Sequence, residues 1–290
     1  MSLEGITDLL RCPHCRQTLL IMDRTLHCPA GHSFDIARQG YVNLLTKAAP
    51  ANADSMAMIT ARERFLAGDH YRPIADRLAA LALDAFPADS EPVIIEPGAG
   101  TGYYLDHVVD RVPSARGLAL DLSAAACRRS ARVNDRIGAV VADTWAGLPI
   151  QDESVDLIMV VFAPRNAADF ARMLRPGGSL LVVAAGVDHL AEIRQPLGLL
   201  DVQPDKQHRL DDSLAEHFVR EHTERLSDLM ILNTDDLNDL VRMGPNAHHQ
   251  QEDLRIRIDA LSPPIEVTRQ IHCSTYRRRQ RRRQAHTVPD

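Results

Sequence analysis

The stretch Val93–Gly102, VIIEPGAGTG, joins a short apolar run to a glycine-rich loop. The three apolar residues favour a buried parallel strand, which Glu96 ends. Three glycines then follow at alternate positions, Gly98, Gly100 and Gly102. They permit positive φ and a close approach of the backbone to a ligand at the carboxyl end of a sheet. The pattern predicts a ligand-binding loop in an α/β fold, with a purely structural turn as the alternative.

The order of residues in this loop selects the ligand class. No lysine follows the glycines, so the loop differs from the phosphate-binding G-x-x-x-x-G-K-[ST] pattern. Tyr103 stands where the dinucleotide pattern G-x-G-x-x-G requires its third glycine. A carboxylate before the loop repels a pyrophosphate but suits a ligand with a cationic amino-acid end. S-adenosylmethionine is such a ligand, and Glu96, Thr101 and the three glycines are its predicted contacts.

The 290-residue chain is long enough for one large domain and a smaller unit. It contains no apolar run of membrane-spanning length and no secretory signal, so we expect a cytoplasmic protein without membrane contact. Five cysteines in that compartment indicate a metal site or free thiols. The net charge of −6 argues weakly against nucleic acid but does not exclude a local basic face.

A metal-ligand pattern occupies the first forty residues. Cys12, Cys15, Cys28 and His32 have the spacing C-x2-C-x12-C-x3-H, which can close a tetrahedron around Zn²⁺. Residues 22–24 are predicted to turn a hairpin that presents the second ligand pair. Four protein ligands leave no open position, so the zinc should be structural. The alternative is a small core with three reduced cysteines. His14 and His27 have the wrong spacing and are interpreted as bystanders.

Two helices are predicted between this unit and the glycine loop. Asp54 or Ser55 can cap the first, which Gly68 ends, and Pro73–Phe86 forms the second. From Glu91 the pattern alternates strand and helix, which implies parallel strands with right-handed crossovers. The predicted domains are accordingly 1–45 (zinc-binding), 46–90 (helical linker), 91–276 (Rossmann-like α/β domain) and 277–290 (arginine-rich tail).

Acidic residues end the second and third predicted strands of this domain. Asp121 follows strand 117–120 and can accept hydrogen bonds from a ribose diol; a helix N-cap is the alternative, although Ser123 can serve that role. Asp143 follows strand 139–142 and can bond the exocyclic amine of adenine. Trp145 can cover that ring or simply pack in the core.

The carboxyl end of the fourth strand, Val155–Phe162, leads into FAPRN, where substrate should meet cofactor. Strand five, 179–185, follows an RPGG turn. Phe218–Leu232 is predicted as two strands around Ser227-Asp228. Helices at 235–243 and 251–261 and a last strand at 265–276 complete the chain.

These motifs together resemble a known family. The zinc unit joined to FDIARQGYVNLL, then GHY, the acidic-glycine loop, FAPR and RPGG, is similar to the 23S ribosomal RNA guanine-N1 methyltransferases of RlmA type. The resemblance runs from Cys12 to about Tyr276 and is greatest to the actinomycete branch that protects macrolide producers from tylosin and mycinamicin.

The resemblance implies a homodimer that carries a class I S-adenosylmethionine-dependent domain and a zinc module that engages RNA. It assigns the zinc to Cys12, Cys15, Cys28 and His32, and methyl-donor contacts to Tyr71, the glycine loop and His189. The implied target is N1 of a guanine in a domain II hairpin near the peptide exit tunnel. Relatives tend to carry Trp after the Gly244-Pro245 turn, where this chain has residues 246–249, NAHH.

Methylation at N1 requires loss of a proton, which moves negative charge onto O6 of the guanine. We expect Arg165 to stabilise that charge, although a phosphate contact is an equal alternative. Asp143, water or His189 remain candidates for the base. Five cations around the zinc unit are candidates for the RNA-binding face: Arg11, Arg16, Arg24, Arg38 and Lys47.

Two other functions remain open from the sequence. One is a methyltransferase for a small molecule or protein with a purely structural zinc. The other is a noncatalytic zinc-ribbon protein that binds RNA. The arginine-rich run of residues 277–283 is predicted to be solvated and disordered, with incidental affinity for RNA.

Overall fold

The computed structural model of the chain describes residues 3–50, 53–87, 89–203, 205–244 and 253–279. The NAHH segment at 246–249 and residues 280–290 of the predicted arginine-rich tail lie outside these ranges. The prediction of a solvated, disordered run from residue 277 was wrong for its first residues: the last strand continues to Arg278, and Arg277 and Arg278 form ion pairs with Glu221 and Glu153. Within them, no helix is long and apolar enough to cross a membrane.

The N-terminal segment begins with a 3-10 helix, Glu4–Leu9, and a small antiparallel sheet. The sheet contains β1 (Leu20–Met22), β2 (Thr25–His27) and β3 (Ser33–Asp35) in that order. Met22 pairs with Thr25, which confirms the hairpin predicted at residues 22–24.

The next strand, β4 (Tyr41–Asn43), leaves this small sheet and joins the main one. It runs parallel to β7 (Ile137–Val141) at the sheet's edge, and Leu44 N–H continues the pairing to Val141 O at 3.0 Å. Side chains of the N-terminal segment, such as Leu26, share a buried core with those of the main sheet. The zinc segment is therefore packed against the main domain, and the boundary at residue 45 stays a prediction.

Two helices follow, α1 (Met56–Ala67) and α2 (Arg72–Ala85). The Ser55 hydroxyl accepts a hydrogen bond from Met58 N–H at 3.3 Å and caps α1. Asp54, the other candidate cap, instead forms an ion pair with Arg62 at 2.6 Å.

The main domain alternates parallel strands with helices, as predicted. Its elements are β5 (Val93–Pro97), α3 (Tyr103–Arg111), β6 (Arg116–Asp121), α4 (Ala124–Ser130), β7, β8 (Val155–Val161), α5 (Ala167–Met173) and β9 (Leu174–Ala185). Successive residues of β5 enter the buried cores on opposite faces of the sheet, since Ile94 belongs to one and Ile95 to the other. Burial on both faces explains why β5 reads as a continuous apolar run.

The chain then adds α6 (Ala191–Leu197), α7 (Lys206–Leu214), β10 (Phe218–Leu232), α8 (Thr234–Arg242), α9 (Leu254–Ala260) and β11 (Ile265–Arg278). The eight-stranded sheet has the order β10-β11-β9-β8-β5-β6-β7-β4. From β5 the chain moves one way through β6 and β7, then returns to place β8 on β5's other side. The carboxyl ends of β5 and β8 therefore form the topological switch point, where open α/β sheets bind ligands.

The prediction of two strands between residues 218 and 232 was wrong. One strand, β10, runs through the supposed turn, with Ser227 opposite Gln270 and Asp228 opposite Arg269 in β11. Asp228 accepts a hydrogen bond from Arg269, whose other terminal nitrogen donates to His70 O. Ser and Asp are common in turns, which explains the prediction. In the structure Arg269 of the partner strand binds the Asp228 carboxylate, so the strand continues through both residues.

We expect Asp228→Ala to reduce the free energy of unfolding by about 1–3 kcal/mol, because it leaves a buried guanidinium without its carboxylate. Arg269 is 7% exposed, whereas Asp228 is 45% exposed. Urea denaturation of the purified protein measures this, with the exposed neighbour Ser227→Ala as a control expected to change little. If both substitutions change the free energy of unfolding by the same small amount, the proposed role of the Asp228–Arg269 pair within β10 and β11 is wrong.

Candidate functional site

The glycine loop connects β5 to α3 at the switch point. Gly98, Gly100 and Gly102 have φ values of 77°, 56° and 84°. A Cβ on Gly98 would stand 2.5 Å from the Cβ of Ala163, which follows β8. This close approach, together with the positive φ, explains the requirement for glycine at 98.

Glu96 lies beneath this loop rather than at its surface. Its carboxyl group is buried and accepts a hydrogen bond from Leu105 N–H in α3 at 3.1 Å. Burial raises the pKa of Glu96 well above its ordinary value, although the Leu105 bond opposes the shift. The buried carboxyl group thus connects the strand beneath the loop to α3.

Asp121 holds the same loop from the neighbouring strand. Its two carboxylate oxygens accept hydrogen bonds from Gly100 N–H and Ser123 N–H, each at 2.8 Å. Ser123, and not Asp121, caps α4, since its hydroxyl accepts from Ala126 N–H. Burial raises the pKa of Asp121. Thr101, the fifth predicted loop contact, is also buried.

Asp143 reaches the same edge of the sheet by way of β7. Asp121 pairs with Val141, so the two acids follow adjacent parallel strands. Asp143 accepts a hydrogen bond from Trp145 N–H at 2.8 Å. Trp145 is 68% exposed, which excludes the packing interpretation of that residue.

Tyr71 and His189, predicted from the resemblance alone, lie together. The Tyr71 hydroxyl is 3.1 Å from Nε2 of His189, and Gln270 N–H donates to Nδ1 at 3.3 Å. Burial, then the charges of Lys206 and other cations, lowers the pKa of His189 to about 4. The ring is therefore neutral, with Nδ1 as acceptor and the hydrogen on Nε2. The Tyr71 oxygen accepts that hydrogen, and its own hydroxyl hydrogen is left to donate elsewhere.

Phe162 is a site residue that the sequence analysis treated only as the end of a strand. Its ring stacks near His189, with centroids 5.9 Å apart and planes at 24°, and lies 5.9 Å from the Tyr71 ring. Phe162 has a φ of 53° and is 41% exposed. The sequence feature that could have identified Phe162 is the aromatic residue at the end of a predicted buried strand.

Arg165, just after β8, and Lys206, at the start of α7, have no carboxylate partner among the described residues. Arg165 donates only to Ala163 O, at 3.3 Å, and burial lowers its pKa. Burial, followed by the charge of Arg165, lowers the pKa of Lys206 at the start of α7. The charge of Lys206 also lowers the pKa of His189, so Arg165, Lys206 and His189 lie in one region. Sequence reasoning missed Lys206 because it is distant along the chain and in no motif.

The predicted metal ligands converge in the N-terminal segment. One ligand atom from each of Cys12, Cys15, Cys28 and His32 lies within 4.8 Å of the others. Burial would raise the pKa of the Cys28 thiol, but hydrogen bonds from His32 and other neighbours lower it to about 6. Three thiolates and one imidazole suit tetrahedral Zn²⁺ and leave no open position. His14 packs on His32 at a centroid distance of 4.9 Å, consistent with a bystander.

The five predicted RNA-binding cations differ in their surroundings. Arg11 forms an ion pair with Asp152 at 2.8 Å, and Arg24 donates to the carbonyls of residues 36 and 37. Arg16, Arg38 and Lys47 have no side-chain partner among the described residues. The last three are free to meet phosphate.

Two family models match the chain. One, described as RlmA, N-terminal, covers residues 10–49, and one described as methyltransferase domain covers residues 94–178. The first contains the cysteine–histidine cluster, and the second runs from β5 to the RPGG turn.

Curated relatives match nearly the whole chain. A Micromonospora griseorubida protein named "Putative 23S rRNA (guanine-N(1)-)-methyltransferase" is 47% identical, over 92% of this chain and 97% of that protein. The "23S rRNA (guanine(748)-N(1))-methyltransferase" of Streptomyces fradiae is 44% identical, over 91% and 95%. The crystal structure of MccD protein has a TM-score of 0.50 at 13% identity, covering 71% and 98%. The matches confirm the predicted methyltransferase fold with its zinc ribbon.

The depressed pKa of His189 makes stability depend on pH. Below its ordinary pKa of 6.5 the unfolded chain binds a proton on His189, whereas the folded chain binds one only below about 4. Stability from this group should therefore fall by up to about 3 kcal/mol as pH decreases through that window. Urea midpoints between pH 7.5 and 4 should show a shallower pH dependence for His189→Gln than for the unchanged protein.

His208 provides the matched control for this measurement. It is an exposed histidine on α7, so His208→Gln should retain the full pH dependence. The interpretation of His189 fails if its replacement leaves the slope as steep as in the control.

Proposed function

Because the chain belongs to the family of 23S rRNA (guanine-N1)-methyltransferases, we propose that it transfers the methyl group of S-adenosylmethionine to N1 of a guanine in 23S rRNA. The identity to the Streptomyces fradiae enzyme across nearly the whole chain is the observation that carries this. We place the target guanine in the domain II hairpin near the peptide exit tunnel, so that its methylation protects the ribosome from macrolides.

The donor edge of the sheet supplies the proposed cofactor contacts. Asp121 binds the ribose diol and Asp143 the adenine amine, since they end adjacent strands. The Tyr71 hydroxyl has a hydrogen to donate to the cofactor's carboxylate. The complete proposed set is Tyr71, Glu96, Gly98, Gly100, Thr101, Gly102, Asp121, Asp143 and His189.

The zinc segment is the proposed RNA-recognition module. Cys12, Cys15, Cys28 and His32 would hold Zn²⁺ and fix the small sheet against the main domain. The free cations Arg16, Arg38 and Lys47 then give an otherwise acidic protein a local face for phosphate.

The sulfonium supplies an already activated methyl group, so the protein's own residues must align N1 and manage one proton. Loss of the N1 proton moves negative charge to O6. We assign the stabilisation of that charge to Arg165, whose guanidinium has no carboxylate partner among the described residues. His189 is a poor base because Gln270 occupies its only free lone pair. Asp143 or water remains as the proton acceptor.

We also propose that two copies of the chain associate. The outermost strand, β10, has no neighbour on its free edge among the described residues, and it exposes Leu229 and Ile231. An exposed strand of this length favours pairing with another chain. Sedimentation equilibrium distinguishes a dimer from a monomer.

Methyl transfer from radiolabelled S-adenosylmethionine tests the function. The label should enter 23S rRNA and not protein or small-molecule fractions, and reverse transcription should stop beside one domain II guanine, because N1 methylation blocks Watson–Crick pairing. Label in protein or small molecules would instead support a methyltransferase for a small molecule or protein in which the zinc is purely structural. RNA binding with no transfer at all would support the noncatalytic one.

Arg165→Ala should lower the rate of methyl transfer roughly 100-fold, as expected for removal of one charge-stabilising donor. The dissociation constant for S-adenosylmethionine, measured by calorimetry, should not change. Arg255→Ala is the control, since Arg255 is exposed on α9 and, within the described part of the chain, pairs only with Asp259. Parallel losses of rate and cofactor affinity would argue against the assignment of Arg165.

A further inference from the structure

Phe162 has a left-handed backbone conformation, which is unusual for a bulky aromatic residue. Its φ of 53° lies in the left-handed region, where a bulky L-residue is strained and glycine is not. Its N–H still donates to Val183 O at 3.1 Å, so the sheet holds this conformation in place. Strain of this kind persists where the surrounding structure fixes it, and it is concentrated at functional sites.

The strained backbone presents an aromatic ring to solvent. The two preceding residues, Val160 and Val161, are buried, whereas Phe162 is 41% exposed. Its ring is supported by His189 and Tyr71 on the protein side. Since His189 is neutral, the support is uncharged, and the exposed part of the ring is an apolar platform.

The platform's position identifies the kind of ligand that it fits. The next residue, Ala163, closes against the donor loop at Gly98. Arg165 follows Phe162 by three residues, and its charge acts on Lys206; neither cation has a carboxylate partner among the described residues. An aromatic face beside unneutralised positive charge suits a nucleotide, whose base is planar and whose phosphate is anionic.

We propose that Phe162 is the stacking platform for the target purine after that base leaves its own helix stack. This assignment rests on the proposed function, because a guanine inside a hairpin must be splayed out to expose N1. Stacking on Phe162 then holds N1 beside the donor loop, with Arg165 near O6. Phe162 is in this account a substrate-binding residue, and it takes no part in proton transfer.

A fluorescent base measures this stacking directly. The hairpin RNA carries 2-aminopurine at the guanine that primer extension has identified, and its fluorescence changes with stacking. Binding of the unchanged protein should move the base from the helix stack to the Phe162 ring and keep its emission low. With Phe162→Leu the base should be splayed but unstacked, so emission should rise, while Phe162→Tyr should resemble the unchanged protein.

Kinetics and cofactor binding complete the test. Phe162→Leu should lower kcat/KM for the RNA roughly tenfold to hundredfold, the loss expected for one base stack. Its affinity for S-adenosylmethionine should be unchanged, which also shows that the variant is folded. Leu83→Ala, on α2, serves as the control for removal of surface apolar area, because Leu83 is 43% exposed.

Three results would overturn the proposal. Low emission retained in Phe162→Leu would remove the stacking role. A fall in cofactor affinity matching the fall in rate would make Phe162 a cofactor contact. A rise in emission for Trp145→Leu but not Phe162→Leu would transfer the platform to the other exposed aromatic residue. Absence of any primer-extension stop with the unchanged protein would instead count against the proposed function itself.

Discussion

The close approach of Gly98 to Ala163 is the constraint on which the site depends. It brings the loop after β5 against the chain leaving β8, so donor and acceptor regions share one corner of the sheet. A side chain at residue 98 would separate the two segments, because the Cβ of Ala163 can move away only if its own backbone moves. Asp121 secures the arrangement from the neighbouring strand through its bond to Gly100 N–H. The close approach of these two segments therefore follows from strand order and one missing Cβ.

Burial sets the charges around that corner. Glu96 and Asp121 have raised pKa values and His189 a lowered one, so desolvation reduces charge on both acids and base. Arg165 follows β8, and neither it nor Lys206, on which its charge acts, has a carboxylate partner in the described part of the chain. Acidic side chains therefore support the glycine loop, whereas Arg165 lies in the segment that follows β8.

Local patterns in the sequence determined much of this protein. The alternation of strand and helix, the metal spacing of Cys12 to His32 and the cap at Ser55 each depend on residues close in the chain. The glycine loop was also predictable, because positive φ and close approach restrict the residue type at those positions. Family resemblance added Tyr71 and His189, which lie 118 residues apart and share no local pattern.

Only the tertiary structure decided features that depend on a distant partner. The Ser227-Asp228 pair looked like a turn, but Arg269 on β11 makes it part of one strand. Similarly, β4 became an edge of the main sheet because β7 offered it a parallel partner. The position of the Phe162 ring depends on packing against Tyr71 and His189, which are distant from it in the sequence. The sequence therefore determined which elements and ligands exist, whereas contacts between remote residues decided where the substrate meets them.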